Sequence, residues 1–221
     1  MGSIKAVIFD LDGVITDTAE YHFLAWKKLA DDLDVPFDRE FNEKLKGIGR
    51  MESLELILEK SGKTFSVEEK ERLASRKNEH YRTLIQRITP DDLLPGIRGF
   101  IKEIKKEGIV TGLASASKNA PFVIKRLKIE DLLDTVVDAT KVEKGKPDPE
   151  IFLTATKQLG VEPAKCVGVE DAKAGVQAIK RAGMFAVGIG DQNTLSEADW
   201  IVSAPAELSL HELYQRYQNS N

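Results

Sequence analysis

The chain of 221 residues has a single cysteine, Cys166, only three histidines and no run of apolar residues long enough to span a bilayer. One thiol excludes an internal disulfide framework and any cysteine-built metal site, and it fits a reducing compartment. Cys166 sits in the apolar run CVGVE, where a free cysteine behaves as a small buried hydrophobe. The opening MGSIKA shows no charged-then-apolar leader and no Ser or Thr at position 6, the residue that completes a myristoylation signal. These features predict a soluble, cytoplasmic protein with no membrane partner. Excess positive charge is missing as well: 32 Lys and Arg stand against 36 Asp and Glu, for a net charge of −4. Nucleic acid is therefore not expected as the main partner, although a local anion pocket stays open. Internal repeats and low-complexity tracts are absent.

What is present is a recurrence of short apolar runs: AVIF (6–9), IVTGLA (109–114), TVVD (135–138), CVGV (166–169), FAVGIG (185–190) and WIV (200–202). They are continuous rather than alternating, as in strands covered on both faces by helices. Helical patterns lie between them. DPEIFLTATKQLG (148–160) places Asp148 as N-cap and Gly160 as terminator, and NAPFVIKRL (119–127) and AGVQAIKRAG (174–183) follow the same plan. The alternation predicts an α/β fold with a doubly wound parallel sheet. One interval breaks the rhythm. Residues 17–92 contain no convincing strand, whereas Phe23, Trp26, Ala30 and Leu33, the stretch SLELIL (53–58), and Tyr81, Leu84, Ile85 and Ile88 supply helical apolar faces. The expectation is a helical domain, 17–92, inserted into a core formed by 1–16 and 93–221.

Parallel sheets place ligands at the carboxyl ends of their strands, so the residues that end each run matter. The first run ends in Asp10-Leu11-Asp12, the second in Ser115-Ala116-Ser117-Lys118-Asn119 and the fourth in Glu170-Asp171, while Lys146 follows the third. Four gathered acids repel and raise one another's pKa. A hard divalent cation relieves that conflict, and Mg²⁺ in particular is shared between one or two carboxylates and a phosphate. Ser115 and Lys146 then suit a phosphoryl oxygen. Because residues i and i+2 of an extended segment point the same way, Asp10 and Asp12 divide into a nucleophile and a proton carrier. Taken singly, each feature also has a plainer reading: a solvated loop pair for D-x-D, helix caps for the serines, dipole complements for Glu170 and Asp171, and a surface cation for Lys146. Their agreement at four strand ends favours chemistry.

The motifs DLDGVITDT (10–18), Ser115, Lys146-Pro147 and GVEDAKAG (168–175) resemble those of the haloacid dehalogenase superfamily of phosphotransferases. Asp12 argues for phosphoryl transfer, since dehalogenating members generally lack it, and the helical insertion resembles the superfamily's mobile cap. Over nearly the whole chain, DGVITDTAEYHFLAWKKLA (12–30), LKGIGR (45–50), SRKNEHY (75–81), LASASKNAPF (113–122) and KGKPDPEIF (144–152) are similar to the superfamily's hexose-phosphate mutases.

The resemblance implies Asp10 as nucleophile and Asp12 as general acid/base. It implies Mg²⁺ held by Asp10, the Asp12 carbonyl, Glu170 and Asp171. Ser115 and Lys146 would hold the transferring phosphate. Arg50, with Ala116, Ser117, Lys118 and Asn119, would hold the other, a role suited to the planar donors of an arginine; alone, Arg50 would read as a surface residue. Thr18, His22 and Lys77 would couple the cap to Asp12, and Lys46 and Gly47 would face the sugar. The implied activity is interconversion of β-D-glucose 1-phosphate and glucose 6-phosphate through glucose 1,6-bisphosphate and an aspartyl phosphate, by a monomer. The alternatives are a sugar-phosphate phosphatase and a non-catalytic sugar-phosphate sensor, the latter opposed by an intact nucleophile. Gly49 and Ala172 depart from the pattern, each standing where relatives carry serine.

Overall fold

In the computed structural model, which describes residues 3–45 and 47–220, the six apolar runs become six strands. These are β1 (Ala6–Phe9), β2 (Val110–Leu113), β3 (Thr135–Val136), β4 (Cys166–Glu170), β5 (Phe185–Ile189) and β6 (Trp200–Val202). They form one parallel sheet in the order β3-β2-β1-β4-β5-β6. The chain steps outward from β1 in one direction and then restarts on its other side, so β1 borders the point where strand order reverses, the usual ligand crevice of such sheets. Register levels the strand ends. Phe9 lies opposite both Leu113 and Val169, so Asp10, Ser115 and Glu170 emerge together at one edge.

The TVVD run is shorter than expected: only Thr135 and Val136 pair in the ladder. The Asp138 carboxylate accepts bonds from the amide and hydroxyl of Thr140 and starts a turn that ends the strand.

Nine α-helices occur among the described residues. Between β1 and β2 run α1 (Ala19–Asp32), α2 (Arg39–Glu43), α3 (Arg50–Glu59), α4 (Val67–Leu84) and α5 (Ile97–Lys106); α6 (Ala120–Leu127), α7 (Glu150–Leu159), α8 (Lys173–Arg181) and α9 (Leu210–Asn219) follow. Two apolar clusters cover the two faces of the sheet, one holding Val7, Phe9 and Val169, the other Ala6, Ile8 and Cys166. A third, built on Trp26, Leu29, Leu54 and Ile57, belongs to α1 through α4 alone. At roughly 1.5–3 kcal/mol for each large side chain buried, that cluster gives the four helices a core of their own.

Local sequence explains the helix ends. Ser66 accepts from the Glu69 amide while Glu69 accepts from the Ser66 amide, a reciprocal cap that starts α4. The helix stops at Leu84 and tightens into a 3₁₀ turn at Ile85–Arg87, so Ile85 and Ile88 leave the α-helical periodicity. At α7 the expected cap is displaced by one residue: Pro149 takes the N-cap position, and Asp148 instead accepts from the Glu150 amide at 3.0 Å. Gly160 closes α7 at φ 67° as anticipated. The short α2 has no sequence periodicity to announce it; Asp38 caps it through the Phe41 amide. Cys166 is fully buried, with its thiol donating to the Glu162 carbonyl. Among the described residues no helix is long and apolar enough to cross a membrane.

Candidate active site

Three strand ends, those of β1, β2 and β4, and the loop before α7 deliver polar and charged groups to one place. Lys146, reaching in from that loop, is buried and donates to Asp10 Oδ1 at 2.6 Å and to Glu170 Oε1 at 3.0 Å. Burial alone would lower the Lys146 pKa, but the two carboxylates outweigh it and push it up. The ammonium is therefore held charged. Glu170, with no exposed surface, is raised by burial against the opposing pull of Lys146. Its other oxygen accepts from the Asp171 amide at 2.9 Å.

Oxygens of Asp10, Glu170 and Asp171 all lie within 4.8 Å of one another. An all-oxygen carboxylate set fits a hard divalent cation such as Mg²⁺. The backbone makes room for it. Gly13 has φ +73°, and a Cβ there would stand 2.2 Å from Asp171 Oδ2, so only glycine lets the chain turn out of β1 beside that carboxylate.

Asp12 has a different setting. Its amide donates to Asp10 Oδ2 at 3.0 Å, but its carboxylate turns toward the helices and accepts from both the amide and the hydroxyl of Thr18. Burial, then the nearby Asp10 charge, pushes Asp12 up to about 7, against the lowering effect of the Thr18 bonds. A carboxyl group near neutrality can both give and take a proton at working pH. The Thr18 hydroxyl lies 3.0 Å from the Tyr81 hydroxyl, which extends the chain of bonds into α4. Tyr81 was legible from sequence only as part of an apolar face, although its phenol is the polar tip of that face. Its pKa is raised by burial and by Asp12.

The helices contribute cations of another kind. Lys77 Nζ lies 2.9 Å from His22 Nδ1, 4.4 Å from the Trp26 ring centroid and 4.9 Å from that of Tyr81. Burial, followed by the positive charge of Arg50, holds Lys77 well below the usual lysine range; burial, then Lys77 and Arg50, does the same to His22. Arg50 at the start of α3 is lowered by burial.

A cavity of about 650 Å³ lies between these helices and the sheet edge. Asp10, Asp12, Asp171, Ser115, Ala116, Ser117, Lys118, Asn119 and Lys146 line it from one side, and His22, Gly47, Arg50 and Lys77 from the other. Glu170 sits behind this lining and Thr18 behind Asp12. Lys46 lies outside the described residues. The Ser115-to-Asn119 turn is held by its own hydroxyls, Ser115 Oγ accepting from the Ser117 amide and Ser117 Oγ from the Asn119 amide. Asn119 also donates to Asn78 of α4 at 2.8 Å, a bridge between sheet side and helix side that periodicity does not show. Gly47 abuts Ala172, where a Cβ on Gly47 would come within 3.0 Å of the Ala172 side chain. Gly49 is the N-cap of α3 and donates its amide to Glu52 Oε2 at 2.8 Å. Asp17 accepts from the Ala19 amide at 2.9 Å and braces the entry to α1.

Comparison with known proteins agrees with this geometry. Residues 4–183 match the haloacid dehalogenase-like hydrolase family. Beta-phosphoglucomutase of Bacillus subtilis is 54% identical over 97% of this chain and 96% of its own. The crystal structure of beta-phosphoglucomutase from Clostridium difficile superposes with a TM-score of 0.96 at 48% identity, covering 98% of each chain. The phosphorylated carbohydrates phosphatase of Thermotoga maritima is 31% identical over 92% of each chain. The chain belongs to the haloacid dehalogenase-like hydrolase family, in the branch that holds the beta-phosphoglucomutases.

Proposed function

We propose that the chain is a β-phosphoglucomutase that interconverts β-D-glucose 1-phosphate and D-glucose 6-phosphate. The observation that carries the proposal is the two-sided cavity, with a phosphoryl-transfer set at the sheet edge and further anion-binding groups, Arg50, Lys118 and Asn119, on the same lining. A mutase needs two such ends because its bisphosphate intermediate must present each phosphate in turn. The volume, about 650 Å³, is in the range of small-molecule sites.

In the proposed cycle, Asp10 carries the phosphoryl group. The sugar 6-hydroxyl attacks phosphorus, the bond to the Asp10 oxygen breaks, and Asp12 takes the hydroxyl proton, forming β-glucose 1,6-bisphosphate. After the intermediate turns round, Asp10 attacks the phosphorus at C1, and Asp12 returns its proton to the departing O1, leaving glucose 6-phosphate. Ser115 and Lys146 hold the transferring group, and Arg50 with Ala116, Ser117, Lys118 and Asn119 holds the other. Residues 17–92 serve as a cap over the core of 1–16 and 93–221, with Thr18, His22 and Lys77 relaying cap position to Asp12 and Gly47 facing the sugar. Closure of the cap excludes water from the aspartyl phosphate. Asp10, the Asp12 carbonyl, Glu170 and Asp171 would hold Mg²⁺, which when bound neutralises the carboxylates and the phosphoryl oxygens. Glucose 1,6-bisphosphate would prime the enzyme, which would work as a cytoplasmic monomer.

The 31% likeness to a phosphatase favours hydrolysis as the rival activity. A coupled assay on both glucose 1-phosphate anomers, with and without bisphosphate, separates the two. Isomer formation from the β anomer, accelerated by bisphosphate and with little phosphate released, is expected. Stoichiometric phosphate release without isomer would overturn the proposal.

A further inference from the structure

We infer that Asn42 is a specificity residue that recognises a ring hydroxyl of the sugar, an inference that rests on the mutase reading and names a contact within the same cavity. Asn42 is the one buried residue of α2, with 9% of its surface exposed. An amphipathic helix buries apolar side chains, and a carboxamide at such a position calls for a hydrogen-bonding partner. Among the described residues its side chain meets no donor or acceptor; the amide nitrogen of its backbone is occupied by the Asp38 carbonyl. Yet the residue lines the cavity, as do Trp26 and Leu45.

The chemistry of the group selects its ligand. A carboxamide offers two donors and a carbonyl acceptor with no charge, which complements a hydroxyl, itself both donor and acceptor. Among the cations of the lining, Arg50, Lys118 and Lys146 are matched to phosphate. A neutral polar side chain in a lining that also carries Trp26, Leu45 and Ala74 fits the uncharged middle of a sugar phosphate rather than either end. Ser53 of α3 supports this placement: it is 2% exposed, lines the same cavity, and its hydroxyl has no partner among the described residues.

The test uses the full-length enzyme, Asn42→Leu as a near-isosteric apolar variant, and Asn42→Ala in case leucine does not fit. Wild type should favour glucose 6-phosphate about tenfold over one of its 2-, 3- or 4-deoxy analogues, the worth of one hydrogen bond to a buried group. Asn42→Leu should lower kcat/KM for glucose 6-phosphate about tenfold, mainly through KM, and treat that deoxy analogue and the parent alike. Thermal stability should stay level, since no side-chain hydrogen bond among the described residues is removed. Variants that keep wild-type discrimination among the deoxy analogues, or that lose stability as though a structural bond had been cut, would overturn the inference. If wild type isomerises no hexose phosphate, the functional reading fails separately. Calorimetric titration with glucose 6-phosphate then decides the inference, with weaker binding to Asn42→Leu expected and equal binding overturning it.

Discussion

The two sides of the cavity handle charge in opposite ways. At the sheet edge, opposite signs are interleaved: Lys146 sits between Asp10 and Glu170 at hydrogen-bond distance, and its protonation is locked by its partners. On the helix side, Lys77, His22 and Arg50 gather like signs with aromatic rings between them, and burial drives both Lys77 and His22 toward their neutral forms. The difference teaches where each side's stability resides. Paired charges make the sheet edge rigid and committed to one chemistry. The helix side keeps its cations only by neutralising them or by finding an anion, so a phosphorylated ligand stabilises it more than it stabilises the sheet edge.

The largest effect should come from the sheet edge. Asp10→Asn keeps the Lys146 bond to Glu170 but removes the proposed nucleophile, and turnover should fall by about 10⁴-fold or more, as read in the coupled isomerase assay. Retained turnover would remove Asp10 from that role. Next, Lys146→Met leaves two buried carboxylates without their cation. Metal-free protein should lose about 3 kcal/mol of stability, measured by urea unfolding at pH 7.5, with part regained on adding magnesium.

The third and fourth tests set the two sides against each other through pH. Asp12 has its folded pKa raised from 3.8 to about 7, so its contribution to stability is fully present below about pH 4 and is lost as pH rises through 7. Metal-free Asp12→Asn should therefore gain on wild type by on the order of 2 kcal/mol between pH 4 and 8, allowing for partial solvent screening. His22 has the opposite sign. Its folded pKa is depressed by burial and by Lys77, so its contribution is present above about pH 6.5 and is lost as pH falls. His22→Asn should flatten the acid-side decline, an effect visible only below that pH and hence the smallest of the four. Parallel slopes for the two variants would erase the proposed contrast.

Much of the sheet edge was legible in sequence, because a strand ending in polar residues announces both its direction and its load. Asp10, Ser115 and Glu170 stand where runs of apolar residues stop, and parallel register does the rest, while Lys146 comes from the loop that follows the third run. The helix side was legible only through resemblance. His22 and Lys77 are separated by 55 positions and meet through the packing of α1 on α4, and nothing in local periodicity pairs them. Tyr81 was masked by its own apolar body, Asn42 by a helix too short to show a period, and Asn78 by its place on a polar stripe. Displaced ends such as Pro149 for Asp148, and the two-residue β3, reflect competition among local hydrogen bonds that pattern alone does not weigh.

Trp26 gives the helix side a spectroscopic voice. The chain has only two tryptophans: Trp200 lies in the outermost strand, β6, whereas Trp26 lines the cavity with Lys77 Nζ 4.4 Å from its ring centroid. Emission from an indole responds to a change of charge at that range, such as protonation of Lys77 when an anion arrives. With Trp200 replaced by phenylalanine, the protein becomes its own indicator of ligand arrival and of movement in the proposed cap, with no dye attached and no change at the sheet edge to which the chemistry is assigned.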